Sequence, residues 1–284
     1  MNEKSRFRRL SIGIVFFWIT VFVFFPNVLV VFISFLKRDP VHFVEGIFTA
    51  ESYRNLFEPV FFRIFINSFK NALAATGVCL ILSYPFAAIL CRIDPGVRRY
   101  LLVLVIIPFW TSSLIRTYAM IILLKSNGIV NNVLLAAGLI GEPLQILYTD
   151  LAVFCGLVYT LLPFMILPLY GSIEKLDPRV VEAAHDLGAS RMQAFIRVIL
   201  PLTMPGVIAG CILVFLPALG LFYIPDLLGG AKSMLIGNFI RDQFLTAGNW
   251  PFGAAASVIL TLIMGLMLVF YYYSLKKFNA PLME

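Results

Sequence analysis

The sequence predicts an all-α polytopic membrane protein with six transmembrane helices. Three observations carry that expectation. Of the 284 residues, 61% are hydrophobic and only 13% charged, against roughly 25% charged in a soluble domain. Six apolar segments are long enough for a hydrocarbon core that needs about 20 helical residues. None alternates as a barrel strand would, so backbone N–H and C=O groups must be satisfied inside helices.

The segments are 10–36, 66–91, 100–124, 150–171, 205–225 and 252–273. The first follows Lys4, Arg6, Arg8 and Arg9, as the core of a signal peptide would. It is too long for one and no small-x-small site closes it, so it reads as an uncleaved span. Pro26, Pro85, Pro108, Pro163, Pro168 and Pro217 interrupt spans; each removes an amide donor and is expected to kink its helix. After the first span, Thr49 or Ser52 can cap a short helix. Phe57, Phe61, Phe62 and Phe65 then suggest an aromatic helix lying along the interface as scaffolding. Gly206 and Gly210 open span five at the spacing that permits close helix approach. A single domain over 1–284 is expected.

The basic residues give an orientation. Thirteen Lys and Arg residues fall in the N-terminal tail, the 92–99 and 172–204 connections and the C-terminal end, against eight in the alternate connections. The denser side should be cytoplasmic, which puts both termini inside, with 37–65, 125–149 and 226–251 outside. Basic residues flanking spans set topology, so the net charge of +7 points to membrane lipid and not to nucleic acid. Arg116 is left inside span three.

Catalytic and metal chemistry find no support in the residues. Cys79, Cys91, Cys155 and Cys211 lie in or beside apolar runs without a CxxC spacing, and His42 and His185 are isolated. Lys232–Ser233 in "LLGGAKSMLIG" lacks the spacing of a phosphate-cradling loop. No catalytic pair is apposed in the helices, so the chain is expected to be non-catalytic.

One long polar stretch stands out at 172–204. Asp177 can cap a helix with Pro178 at its first position, and Gly188 is a strong terminator. Ser190 can cap a second helix that runs to Pro201, with Met192, Phe195, Ile196 and Ile199 on one face. Glu182 and Asp186 are four residues apart on one exposed side, and Ala183 and Ala184 permit another surface to come close. The stretch fits an amphipathic helix on the inner leaflet, or a docking helix for a cytoplasmic partner.

Glu182, Ala183, Ala184, Gly188 and then Leu200–Pro201 resemble the cytoplasmic signature of the ABC importer permeases, between spans four and five. Nearly the whole chain, roughly 10–275, is similar to the binding-protein-dependent permeases with the MetI-like transmembrane fold. "PFWTSSLIRTYAM", "PLYGSIEKLDPRVVEAAHDLGAS" and "LPLTMPGVIAG" resemble polyamine permeases in particular. The resemblance implies a membrane subunit importing spermidine or putrescine. It implies a second related permease subunit, two copies of an ABC ATPase subunit that use ATP and Mg, and a periplasmic polyamine-binding protein. Glu182, Ala183, Ala184, Asp186, Gly188 and Pro201 would couple to the ATPase. An importer of another solute, such as sulfate, iron or phosphate, shares the signature; a secondary transporter would work without an ATPase.

A polyamine route calls for carboxylates, carbonyls and aromatic faces. Trp110, Ser112 and Tyr118 in span three and Tyr223 and Asp226 near the outer end of span five meet that requirement. Asp226 serves equally as an N-cap or outer-loop hydrogen-bond acceptor. Arg116 would repel a polycation if exposed to the route, so it is expected to be paired or fixed at a subunit contact.

Overall fold

A computed structural model of the chain describes residues 3–230 and 233–279. Six of its helical segments are long and apolar enough to cross a membrane: Ser11–Ser34, Pro59–Arg92, Ser113–Ala136, Asp150–Ile173, Arg191–Gly220 and Trp250–Ser274. The residues group into two compact units, 1–63 with 239–263 and 64–238 with 264–284. Lys232, counted above among the outer basic residues, lies outside the described residues.

In the first unit, α1 (Glu3–Ile19) and α2 (Phe25–Ser34) make the first span, joined by a π-helical turn at Thr20–Phe24. The turn has a local cause. Pro26 has no N–H and its ring crowds the carbonyl one turn earlier; widening the turn, with Phe25 N–H donating to Thr20 O, relieves that crowding without breaking the helix. Outside the spans, β1 (Leu36–Lys37) pairs antiparallel with β2 (Glu45–Phe48). Helix α3 (Glu51–Leu56) follows, its first N–H bonded to the Thr49 hydroxyl at 3.1 Å. Ser52 is buried within it and caps nothing.

The aromatic helix expected along the interface is not a separate element. α4 (Pro59–Arg92) runs for 34 residues. Nothing between Phe61 and Ser68 stops it, since that stretch contains neither Gly nor Pro. Phe61, Phe62 and Phe65 belong to its first turns, and Phe61 packs on Phe239 and Phe252 with ring centroids 5.4 and 4.8 Å away.

In the second unit, Asp94 caps α5 (Pro95–Ile106) by accepting from Gly96 N–H. The continuous third span expected at 100–124 is broken. A 3₁₀ turn at Ile107–Trp110 holds Pro108, Thr111 and Ser112 are extended, and α6 (Ser113–Leu124) begins afresh. Pro108 withdraws one ladder donor and no side chain caps the new start. α7 (Ile129–Ala136) continues the apolar segment. Next comes α8 (Asp150–Ile173), capped by Thr149, and it passes unbroken through Pro163 and Pro168. α9 (Pro178–Asp186) and α10 (Arg191–Ala194) form the polar stretch, and α11 (Leu200–Gly220) is the fifth span. α12 (Ile236–Leu245) and α13 (Trp250–Asn279) follow, each with residues in both units.

The core of this unit is the seam between α8 and α11. Leu157, Leu161, Met165 and Leu169 repeat every fourth residue of α8 and are buried, as are Val214, Phe215, Ala218 and Leu219 of α11. Small residues set the spacing. A Cβ on Gly206 would lie 2.4 Å from Ser172 Cβ and 2.8 Å from Pro168 O, and one on Gly210 would lie 2.6 Å from the Met165 sulfur. The close approach expected of this glycine pair is thus present, and α8 is the partner.

Candidate coupling surface and transport route

The polar stretch is built by local capping. Asp177 accepts from Arg179 N–H at 2.9 Å with Pro178 in the first turn of α9. The helix closes on Gly188, whose φ is +84°; Ala189 N–H reaches back to Ala184 O at 3.0 Å. A Cβ at Gly188 would meet nothing within 4 Å, so the backbone conformation, not space, demands glycine here. Ser190 and Gln193 then form a reciprocal capping box at the start of α10.

The second helix does not end at Pro201. A π-helical turn at Phe195–Ile199, with Leu200 N–H donating to Phe195 O, carries the helix on into α11, so Arg191–Gly220 is one 30-residue rod. The physical reason is the one found at Pro26, since both wide turns end two residues before a proline. The wider turn also divides the face expected of Met192, Phe195, Ile196 and Ile199. Phe195 turns inward, its ring 5.4 Å from Tyr84, while Met192 and Ile196 are exposed.

Glu182, Ala183, Asp186, Gly188 and Pro201 are exposed and Ala184 is half-buried. Beside them Leu187 is 89% exposed, with Val180, Met192 and Ile196 also open. Val180 and Leu187 were not singled out from the sequence, since Leu187 sits at a helix end where periodicity says nothing of direction; Met192 and Ile196 were placed on an apolar face with Phe195 and Ile199, and the wide turn leaves them exposed. Behind α9 lies a cavity of about 410 Å³, lined by Tyr84, Cys91, Arg98, Glu174, Glu182 and His185 among others. At its edge Glu174 accepts from the Tyr170 hydroxyl at 2.5 Å and pairs with Arg98 at 3.5 Å, tying the start of α5 to the end of α8.

The route residues are not gathered in one place. Trp110 ends the 3₁₀ turn and is 79% exposed, with Ser112 and Tyr118 also exposed. Its neighbour Phe109 packs on Phe164, centroids 4.9 Å apart. Tyr223 and Asp226 are half-buried, and Asp226 lies in a π-helical turn at Pro225–Gly229. That turn packs against the first half of α8, where Leu228 and Ile224 crowd Gly156 and Val153 crowds Gly229. Phe164 is eight to eleven residues from Gly156 and Val153, which separates the two sets by roughly 12–17 Å along α8. Between Ser233 and Asn238 a polar clamp forms: Ser233 donates to Asp150 at 2.5 Å and Asn238 accepts from Leu235 N–H at 2.7 Å. Arg116, half-buried, holds its guanidinium 6.0 Å from the centroid of the Tyr159 ring. Among the described residues no cluster of three or more His, Cys, Asp or Glu is placed to hold a metal ion.

Six apolar spans, with a capped polar helix between the fourth and fifth, are the frame on which comparison with known proteins decides. Residues 92–280 match the family described as the binding-protein-dependent transport system inner membrane component. The chain belongs to that family. It is 51% identical over 284 residues to the spermidine/putrescine transport system permease protein PotB of Salmonella typhimurium strain SL1344, covering 100% of this chain and 99% of that one. It is 53% identical over 262 residues to PotB of Escherichia coli strain K12, covering 92% and 95%. A chain of a bacterial alginate ABC transporter, solved with an alginate pentasaccharide-bound periplasmic protein, superposes with a TM-score of 0.75. At 18% identity, with 98% of this chain and 96% of that one covered, this likeness concerns the fold. The permease is accordingly a non-catalytic, multi-pass inner-membrane component of a multi-subunit transport system.

Proposed function

We propose that this permease is a membrane subunit of an ATP-driven importer that takes spermidine or putrescine from a periplasmic binding protein and passes it to the cytoplasm. The observation that carries this reading is the 51% identity to a spermidine/putrescine permease along the full chain. A second related permease subunit and two ATPase subunits, which use ATP and Mg, complete the assembly. Both termini face the cytoplasm, as the distribution of Lys and Arg favours.

In this reading α9 docks in the ATPase. Ala183 and Ala184 allow close approach, Glu182 and Asp186 meet basic or amide groups, and the exposed Leu187, Met192 and Ile196 supply apolar contact. ATP-driven closure of the ATPases displaces α9. The capped turn at Gly188 passes that displacement to α10, which is continuous with span five. The span moves as part of a rod, and the route opens to alternate sides. Trp110, Ser112 and Tyr118 at the break in span three and Tyr223 and Asp226 outside serve as successive weak stations, since a site that binds a cation too tightly does not release it.

The test is reconstitution of the whole assembly in proteoliposomes with its binding protein. Labelled spermidine or putrescine should enter only with ATP inside the compartment of the ATPase, and should stimulate hydrolysis. Stimulation by sulfate, iron or phosphate instead would replace the substrate; uptake driven by an ion gradient without ATP would overturn the ABC reading. Orientation is tested separately in a cysteine-depleted background: His185→Cys should be labelled only from the cytoplasmic side.

A further inference from the structure

Arg116 is a permanent cation, half-buried in the second unit, four residues into α6. Its Nε is buried without a hydrogen-bond partner, and its guanidinium lies over the face of Tyr159. It forms no ion pair among the described residues. The nearby helix carbonyls are occupied: Ser113 O accepts from the Thr117 hydroxyl at 2.9 Å, and Ser112 O from the Arg116 backbone N–H. A single aromatic face is weak compensation for a guanidinium, which presents five donors.

The missing anion cannot come from this chain's own spans. Across the six, the only Asp or Glu is Asp150, at the first position of α8, and it accepts from Ser233; Asp226, in the turn at Pro225–Gly229 beside α6, is engaged by another group. A lipid phosphate is also too distant. Tyr159 is nine residues from the start of α8 and fourteen from its end, roughly 13 and 21 Å along the axis, so Arg116 sits near the middle of the hydrocarbon and away from a headgroup. Cations at such depth face protein or a water-filled cavity and are paired. The surface around Arg116 is apolar, with Leu114, Ile115, Tyr118 and Ile122 exposed. This is the composition of a helix face that lacks its neighbour, centred on one charge.

We infer that the α6 face around Arg116 docks the second membrane subunit of the importer, and that a carboxylate on a span of that subunit accepts the Arg116 guanidinium. The inference rests on the importer reading for the existence of that subunit. Charge complementarity names the occupant: the carboxylates of a second copy of this chain nearest that depth, Asp150 and Asp226, are already engaged within their own chain, and a polyamine would be repelled. Arg116 thereby selects a different chain as its neighbour, because a like chain would place two unpaired cations in the membrane.

The experiment uses the complete importer, expressed from all its subunits and purified through a tag on this chain. Arg116→Met keeps length and apolar stem but removes the charge, leaving the partner's carboxylate buried and unpaired. Recovery of the second membrane subunit should fall about tenfold or more, with this chain's own membrane abundance unchanged. Arg116→Lys should retain most of it. Neutralising the matching carboxylate, found by changing each Asp and Glu in the partner's spans to Asn or Gln, should restore recovery with Arg116→Met, since the orphan charge is then gone. Equal recovery and equal thermal stability of wild-type and Arg116→Met complexes would overturn the inference. So would an Arg116→Met complex that assembles fully but admits other cations, which would place Arg116 on the route. A wild-type complex that holds its second subunit yet imports no polyamine defeats the substrate reading and leaves the interface standing.

Discussion

The seam between α8 and α11 and the first span are both long apolar helices, yet they are built to different rules. Along the seam, Gly206 and Gly210 bring α11 onto Pro168, Ser172 and Met165 until no extra atom fits, and Leu157, Leu161 and Met165 are buried. In the first span Phe16, Phe17, Trp18, Phe22 and Phe24 are all exposed, and nothing lies within 4 Å of a Cβ at Gly13. Apolarity is common to both, so it does not tell a core helix from one that faces lipid or another subunit. Lipid tails are as apolar as Leu, and packing within the membrane is decided by small residues that let backbones meet. The difference is therefore carried by glycine, and glycine is where it can be broken.

The largest effect is expected at Gly206. Its Cβ would strike the backbone carbonyl of Pro168 as well as Ser172, and a backbone atom cannot turn aside. Gly206→Ala must push α8 and α11 apart, at a cost of about 1–3 kcal/mol. A lowered melting temperature of the purified chain, with reduced membrane yield, is the expected result; an unchanged melting curve would show that the seam is not the core.

Gly188→Ala comes next and acts differently. There is room for the methyl, but φ is +84°, and holding an L-residue in that region costs roughly 1–2 kcal/mol. The chain should remain in the membrane and melt nearly as before, because the strain is confined to an exposed turn. ATPase co-purification and uptake should fall, and should fall further with Gly188→Val, whose branched side chain resists the bend. Glu182→Ala should share the loss of coupling with no change in melting. Full uptake at normal protein levels in all three would remove the docking assignment from α9.

The seam glycines and Gly188 were legible in the sequence for good reason. A small residue four positions from another, and a glycine between two helix-forming runs with capping residues on both sides, are local signals with local causes. The six spans were legible for the same reason, since length and apolarity suffice. What was not legible depends on hydrogen-bond register. Pro108 breaks span three, while Pro26 and Pro201 leave their helices continuous through a wide turn. Each proline removes one donor; whether the neighbouring carbonyls find another partner decides the outcome, and composition does not record that. The exposed faces of Met192 and Ile196 follow from this register, and so were missed with it. The route residues fared differently again. Trp110 and Asp226 are chemically apt, but the break in span three and the turn after span five set them at different depths, which residue type alone does not reveal.

Gly210→Ala sharpens the seam comparison. Its Cβ would meet the Met165 sulfur at 2.6 Å, but the Met165 backbone only at 3.4 Å. The obstacle is a flexible thioether that can change rotamer. The cost should be under about 1 kcal/mol, well below that at Gly206. Met165→Leu combined with Gly210→Ala should be worse than either change alone, because the branched side chain yields less. A melting loss as large as that of Gly206→Ala would mean that Met165 is held in place and that the seam is equally rigid along its length.

The smallest effects belong to the helices outside the seam. Gly13 in α1 and Gly265 in α13 have nothing within 4 Å of an added Cβ, and both lie in helices at ordinary φ. An alanine there meets no neighbour and removes a conformational penalty of about 1 kcal/mol for glycine in a helix interior. In the isolated chain both variants should melt at or slightly above the wild-type temperature. The same variants then report on what covers these helices in the complete importer. Where lipid covers them, Gly13→Ala and Gly265→Ala complexes should assemble and transport normally. Where another subunit lies against one of them, the methyl should lower subunit recovery at that position alone, although the isolated chain tolerates it. A drop in the melting temperature of the isolated chain itself would contradict the open surroundings of these two glycines, and with them the contrast between the seam and the spans around it.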